Sequence, residues 1–313
     1  MYIGIDLGGT NIAAGLVDES GKIIASGSTP TLASRPLDEI VKDMAMLSKK
    51  VTEDAGYTMA DVKAIGIGSP GTIDNANGIV TYSNNIPSFT KAHVSDEFKK
   101  YFDIPVNIEN DANAAAFGEY IATGAKASSF VFITLGTGVG GGVVIDGKIY
   151  RGFNHAGAEL GHVTLIMDGE PCTCGNDGCW EAYASVTALI RQTKEAMEKN
   201  PDSLMKKFAE EEGKVSGRTS FMAAAEGDRA AQEVVDNYIK YVATGIASMV
   251  NIFQPETLVI GGGISKEGDK ILLPIKEIVN RMDYNKYMPK VDIRIAKLFN
   301  DAGIIGAALA AKK

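Results

Sequence analysis

The stretch Ile3-Gly4-Ile5-Asp6-Leu7-Gly8-Gly9-Thr10-Asn11-Ile12-Ala13-Ala14-Gly15-Leu16-Val17 decides the architecture. Its apolar runs, Ile3–Asp6 and Ile12–Val17, read as strands, and the Gly-Gly pair between them reads as a tight turn. A third strand over Lys22–Ser26 completes an antiparallel meander. Leu37–Ala55 carries apolar residues at helical spacing, Val62–Ile67 suits a buried strand, and Val106-Asn107-Ile108 is a strand running into an alanine-rich helix from Asn110-Asp111 through Tyr120. Phe130–Leu135, Gly141–Ile145 and Lys148–Tyr150 repeat the opening grammar, which points to an internal duplication. A long helix, Arg229–Phe253, ends at Gln254-Pro255, and a strand over Thr257–Ile260 delivers Gly261-Gly262-Gly263. A last strand, Asp292–Ala296, precedes Asp301-Ala302-Gly303, which is expected to cap a C-terminal helix.

A chain of 313 residues suits two domains. The expected division is a small N-terminal lobe over 1–120, joined by the C-terminal helix 301–313, and a larger lobe over 121–300. Composition, 45% hydrophobic and 22% charged, is that of a globular protein, with no apolar run long enough to span a bilayer. The first residues read as a strand rather than a secretory signal, so a cytoplasmic location is expected, with no membrane partner. A net charge of −8 argues against nucleic acid as a main partner.

Asp6-Leu7-Gly8-Gly9-Thr10-Asn11 joins two strands where glycine lets consecutive backbone N–H groups face an anion, Thr10 adds a hydroxyl, and Asp6 can hold Mg²⁺ through water. A plain hairpin turn is the competing reading. Leu135-Gly136-Thr137-Gly138-Val139-Gly140-Gly141-Gly142 repeats the arrangement, and Gly261-Gly262-Gly263-Ile264-Ser265 is flat enough to admit an adenine ring or to be a simple strand-to-helix turn. No Gly-Lys-Ser/Thr triplet of a Walker loop occurs, and no strand-to-helix GxGxxG with its acidic partner.

All three cysteines fall in Cys172-Thr173-Cys174-Gly175-Asn176-Asp177-Gly178-Cys179, with His162 ten positions upstream. Three thiolates and an imidazole make a closed tetrahedral set for structural zinc, with no position left for a metal-bound water. Three buried thiols in a reducing compartment are the alternative. For acid–base chemistry, Asp111 sits where a strand ends and a helix begins, a place where a carboxylate either caps the helix or faces a ligand. Two phosphate loops, Mg²⁺ and one carboxylate are what phosphoryl transfer to a hydroxyl requires, and Asp111 is the leading base, with Glu159 its chief competitor and Glu109 behind it.

Together these residues resemble the ROK family (repressor, open reading frame, kinase), its glucokinases in particular. Asp6-Leu7-Gly8-Gly9-Thr10 resembles the family's first phosphate loop, Leu135-Gly136-Thr137-Gly138-Val139-Gly140 its second, and Gly261-Gly262-Gly263 its adenosine segment. Glu109-Asn110-Asp111-Ala112-Asn113-Ala114 resembles the segment carrying the catalytic aspartate, and Glu159-Leu160-Gly161-His162 with Cys172 through Glu181 resembles the sugar-and-zinc signature. The resemblance implies an α/β fold of two ribonuclease-H-like (actin-like ATPase) lobes with a central cleft. It further implies a hexose substrate with ATP and Mg²⁺, Asp111 as base, and sugar contacts from Gly71, Asn85, Asn110, Glu159, His162 and Glu181. His162 would give one ring nitrogen to zinc and the other to the sugar. A homodimer or tetramer is also implied. The chain departs from the family's glucokinases at Asn85-Ile86-Pro87-Ser88-Phe89, where they often read Asn-Leu-Pro-Gly-Trp. Glucose is the expected acceptor. Fructose, mannose, allose or an N-acetylhexosamine is the alternative, and a non-catalytic sugar sensor a more distant one.

Overall fold

The computed structural model describes residues 1–312. The meander forms as β1 (Tyr2–Leu7), β2 (Asn11–Val17) and β3 (Ile23–Pro30), the third strand running four residues past its expected end. There follow α1 (Leu37–Asp54), β4 (Ala64–Ser69), the small hairpin β5 (Thr72–Asp74) with β6 (Ile79–Tyr82), α2 (Val94–Lys99), β7 (Val106–Asn110) and α3 (Asp111–Ala122). The second series is β8 (Ser129–Leu135), β9 (Val139–Ile145), β10 (Lys148–Ile149), then helices α4 (Glu181–Ala184), α5 (Val186–Lys199), α6 (Met205–Glu211), α7 (Thr219–Ala225) and α8 (Arg229–Phe253). It closes with β11 (Thr257–Gly261), α9 (Asp269–Met282), β12 (Asp292–Ile295) and α10 (Asp301–Ala310).

Two five-stranded sheets result, β3-β2-β1-β4-β7 and β10-β9-β8-β11-β12. Each runs third, second, first, fourth, fifth in its own chain order, so the repeated grammar of the sequence corresponds to a repeated topology. In the first sheet the meander is antiparallel, while β1 pairs in parallel with β4 and β4 with β7. The chain divides into two compact units: Met1–Phe132, Gly142–Ala158 and the segment from Lys297 onward form one, and Ile133–Gly141 with Glu159–Ala296 form the other.

In the first unit, strand alternation turns Ile3, Ile5 and Leu7 toward a core shared with Ile40, Met44 and Phe98. The opposite face, from Tyr2, Val17 and Ala64, packs on Ile304 and Ala308 of α10. Close approach is what seats α10 there. A Cβ on Gly4 would lie 1.9 Å from the Ile304 carbonyl oxygen, one on Gly66 1.8 Å from that of Ala307, and one on Gly306 1.6 Å from that of Ala114 in α3. Only glycine permits helix backbone to touch sheet and helix backbone at these distances. The expected cap is corrected: Asn300 holds the N-cap position of α10 without a side-chain hydrogen bond, and Asp301 is the first residue inside the helix. Packing rather than capping secures this end.

Gly306→Ala is therefore expected to force α3 and α10 apart and to lower stability by about 3 kcal/mol. Thermal unfolding monitored by circular dichroism checks this, and an unchanged midpoint would contradict the seam.

Candidate active site and zinc centre

The first glycine loop is built by turning its carbonyls inward. Gly8 donates its N–H to the Asn11 carbonyl at 2.9 Å, and Thr31 donates its hydroxyl to the Gly8 carbonyl at 2.6 Å and its N–H to that of Thr10 at 2.8 Å. Thr31 is fully buried, and its own carbonyl accepts from Arg35 at 2.8 Å. With the carbonyls bound behind, Gly9, Thr10 and Asn11 form an exposed edge suited to an anion. Asn85 stands beside it, its Cβ 3.7 Å from where a Gly9 side chain would start.

The second loop uses the same device with different residues. Val186 donates its N–H to the Gly136 carbonyl at 2.8 Å, and Thr187 its hydroxyl to the Thr137 carbonyl at 2.7 Å. The glycines divide by role. At Gly136 and Gly263 the space a Cβ would occupy is open, with no atom within 4 Å, whereas Gly138 is packed on the Glu181 carboxylate and Gly262, at φ 84°, lies against the Leu135 carbonyl. Gly140 is a residue of β9. No local sequence signal marks Thr31 or Thr187, because each lies far along the chain from the loop it holds.

Asp6 and Asp111 are half-buried in the first unit. Burial, and then the charge of Asp111, push the Asp6 carboxyl up to about 6, and burial raises Asp111 against the pull of backbone N–H groups, including that of Ala112 at 2.8 Å. Two carboxylates that resist ionisation together fit a site completed by a cation, as Mg²⁺ carried with ATP would be. The capping alternative for Asp111 falls away, because Asn110 is the N-cap of α3 and its Oδ1 accepts from the Asn113 N–H at 3.1 Å. The other end of the Asn110 amide donates to the Gly71 carbonyl at 3.1 Å, which joins two of the residues expected at the sugar. The departure at Asn85-Ile86-Pro87-Ser88-Phe89 is anchored by Ile86 and Phe89, both fully buried.

In the second unit, Glu159 opens the short 3-10 turn Leu160–His162, and His162 donates its N–H to the Glu159 carbonyl at 3.1 Å. The ligand atoms of His162, Cys172, Cys174 and Cys179 all lie within 4.8 Å of one another. Cys172 Sγ is 3.6 Å from His162 Nδ1, and Cys174 Sγ is 3.6 Å from Cys179 Sγ. A tetrahedron with Zn–S bonds of about 2.3 Å has sulfur–sulfur edges of about 3.8 Å, so the spacing suits zinc. The proton chemistry agrees. Burial and the adjacent thiols push Cys179 up to about 12 and raise Cys172, so a dication is what allows three thiolates in this volume. Nδ1 faces the metal position, which leaves Nε2 as the second ring nitrogen. Gly178, at φ 76°, folds the loop tightly enough that a Cβ would sit 1.7 Å from the Ile166 carbonyl oxygen. Glu181 connects this centre to the second glycine loop: its Oε2 accepts from the Val139 N–H at 2.8 Å, and its Oε1 accepts from the Thr173 hydroxyl at 3.3 Å.

Cys174→Ser is expected to release zinc and raise the sugar KM by about tenfold or more. Metal analysis beside steady-state kinetics checks both, and retained zinc with an unchanged KM would separate the two. The fold favours the neutral form of Asp6, so its contribution to stability is greatest below 3.8 and is lost as pH rises through about 6. Without Mg²⁺, Asp6→Asn should therefore unfold at a higher temperature than wild type at pH 8, with the two converging near pH 4. Equal midpoints at pH 8 would rule out the burial penalty.

A model described as the ROK family matches residues 2–313. A glucokinase from Thermotoga maritima is 39% identical over 98% of this chain and 95% of its own length. Among solved structures, a ROK family glucokinase from Streptomyces griseus in complex with glucose and AMPPNP is similar at a TM-score of 0.84 and 34% identity, covering 99% of both chains. A ROK hexokinase from Thermus thermophilus is similar at a TM-score of 0.84 and 32% identity, over 99% of this chain and 97% of its own. Sequence motifs, the repeated sheet topology of actin-like ATPases and the two glycine loops agree with these matches, and the chain belongs to the ROK family.

Proposed function

We propose that this protein is an ATP-dependent glucokinase that converts glucose to glucose 6-phosphate. The observation that carries the reading is Asp111: a half-buried carboxylate of raised proton affinity at the start of α3, released from capping by Asn110. A base of this kind accepts the proton of the attacking hydroxyl as the sugar oxygen bonds to the γ-phosphorus and the bond from phosphorus to the β,γ-bridging oxygen breaks. The γ-phosphoryl goes to the sugar, the proton to Asp111, and ADP leaves with the bridging oxygen.

The two glycine loops, through Gly8, Gly9, Thr10 and Asn11 in the first and Gly136, Thr137, Gly138 and Gly140 in the second, border the phosphates, and Gly262 and Gly263 border the adenosine. Asp6 would hold the Mg²⁺ carried with ATP, which would supply positive charge against the phosphates. Gly71, Asn85, Asn110, Glu159, His162 and Glu181 orient the sugar hydroxyls, and His162, with Cys172, Cys174 and Cys179, would hold a structural zinc through Nδ1, which would leave Nε2 for the substrate. Polar contacts to several hydroxyls favour one epimer, since a wrong one leaves buried donors or acceptors unpaired. The glucokinases of Thermotoga maritima and Streptomyces griseus support glucose as the acceptor. No helix among the described residues is long and apolar enough to cross a membrane. A cytoplasmic location suits three cysteines kept as metal ligands, and a homodimer or tetramer is the assembly to look for by light scattering.

An ADP-release assay with Mg²⁺ and ATP against glucose, fructose, mannose, allose and N-acetylhexosamines tests the reading. Glucose should give the highest kcat/KM, and Asp111→Asn should lose about 10²- to 10⁴-fold in kcat with sugar KM little changed. Another sugar in first place would overturn the acceptor, and near-normal turnover by the variant would remove Asp111 as base.

A further inference from the structure

Glu109, the residue before the Asn110-Asp111 turn, is 1% exposed, and its side chain is fully engaged. Oε1 accepts from the Asn110 N–H at 3.0 Å and from Asn113 Nδ2 at 3.3 Å. Oε2 accepts from Arg151 Nε at 2.8 Å and Nη2 at 2.5 Å, and from Asn75 Nδ2 at 3.2 Å. One oxygen thus holds the residue before Asp111 and the residue two after it, while the other is neutralised by a guanidinium reaching across from the segment after β10. Asn75 also donates to the Ile108 carbonyl, which binds the end of β7 to the same cluster.

A carboxylate with both oxygens so occupied is poorly placed to take a substrate proton, yet it grips the backbone and side chains on either side of the group that does. We propose that Glu109 is a positioning residue for phosphoryl transfer and that Arg151 is its obligatory counter-ion. The pair fixes the turn presenting Asp111 and does so without leaving a second uncompensated negative charge two residues from the base. The inference rests on the assignment of Asp111 as base. Two physical facts make the pair matter for rate. Displacing a reacting group by about 1 Å can cost roughly 10²-fold in turnover. A buried charge stripped of its partner is strongly disfavoured, whereas removing both charges together is far better tolerated.

The test compares Glu109→Gln, Arg151→Met, the double variant Glu109→Gln/Arg151→Met and Arg151→Lys with wild type, reading kcat, KM for ATP and for sugar, and the thermal midpoint. Each neutralising single variant is expected to lose about 10- to 100-fold in kcat, with KM for ATP within about twofold of wild type because the phosphate loops are untouched. The double variant should recover at least about tenfold in kcat over Arg151→Met by restoring neutrality. Arg151→Lys keeps the charge but loses the fork, and should fall between wild type and Arg151→Met; it also serves if the neutralising variants fold poorly. An active wild type with unaffected kcat in Glu109→Gln overturns the inference alone. So does a double variant that regains its thermal midpoint without regaining kcat, because the pair would then be structural only. A wild type inactive on every sugar of the panel overturns the kinase reading, and the positioning role with it.

Discussion

Contact between the backbone of α10 and the backbones of β1, β4 and α3 is the constraint from which the rest of the first unit follows. Gly4 and Gly66 admit α10 to the sheet, and Gly306 admits it to α3 at carbonyl-contact distance. The same seating brings Gly303 beneath Asp6, where a Cβ would lie 2.7 Å from the carboxylate. Glu119, fully buried on α3, accepts the N–H groups of Lys297 at 3.0 Å and Leu298 at 2.7 Å, so the connection leading into α10 is bound to the helix that Asp111 begins. Substituting one of these glycines would disturb core and carboxylates together.

Stability and chemistry pull in opposite directions at those carboxylates. A fold holding Asp6 and Asp111 half-buried near one another bears a desolvation and repulsion cost that a charged neighbour or ligand can offset. Elsewhere in the unit the balance is the reverse. Glu109 is more deeply buried than either, but Arg151 and the amides around it satisfy both of its oxygens. Glu109, neutralised by a guanidinium, and Asp111, held only by backbone N–H groups including that of Ala112, thus divide support from reactivity two residues apart.

The glycine loops show how a flexible sequence becomes a defined surface. Glycine makes the turn possible, and a threonine distant in sequence makes it specific by turning loop carbonyls inward, Thr31 in the first loop and Thr187 in the second. In the second unit Glu181 adds another tie, from the Val139 amide to Thr173 in the zinc-ligand loop. Metal loss there should be felt at the second loop as well as at His162.

Much of this protein was legible in its residues. The strands of both meanders, the helix Arg229–Phe253, the zinc donors within eight residues and His162, and the two glycine loops rest on spacing along the chain. Spacing is local, and periodicity, turn chemistry and ligand separation survive without knowledge of what folds against what. Partner choice is another matter. Nothing near Asn110 in sequence says that it, rather than Asp111, caps α3, that Arg151 neutralises Glu109, or that Asn300 precedes α10 uncapped because Gly306 and Gly66 already hold it. The cap is a local bond to Asn113, but the ion pair and the seating of α10 depend on contacts between residues tens to hundreds of positions apart, whose energies exist only once the chain has closed on itself. Local spacing settles which groups the protein carries and on which elements, and long-range packing sorts those engaged in holding the fold from those left to act.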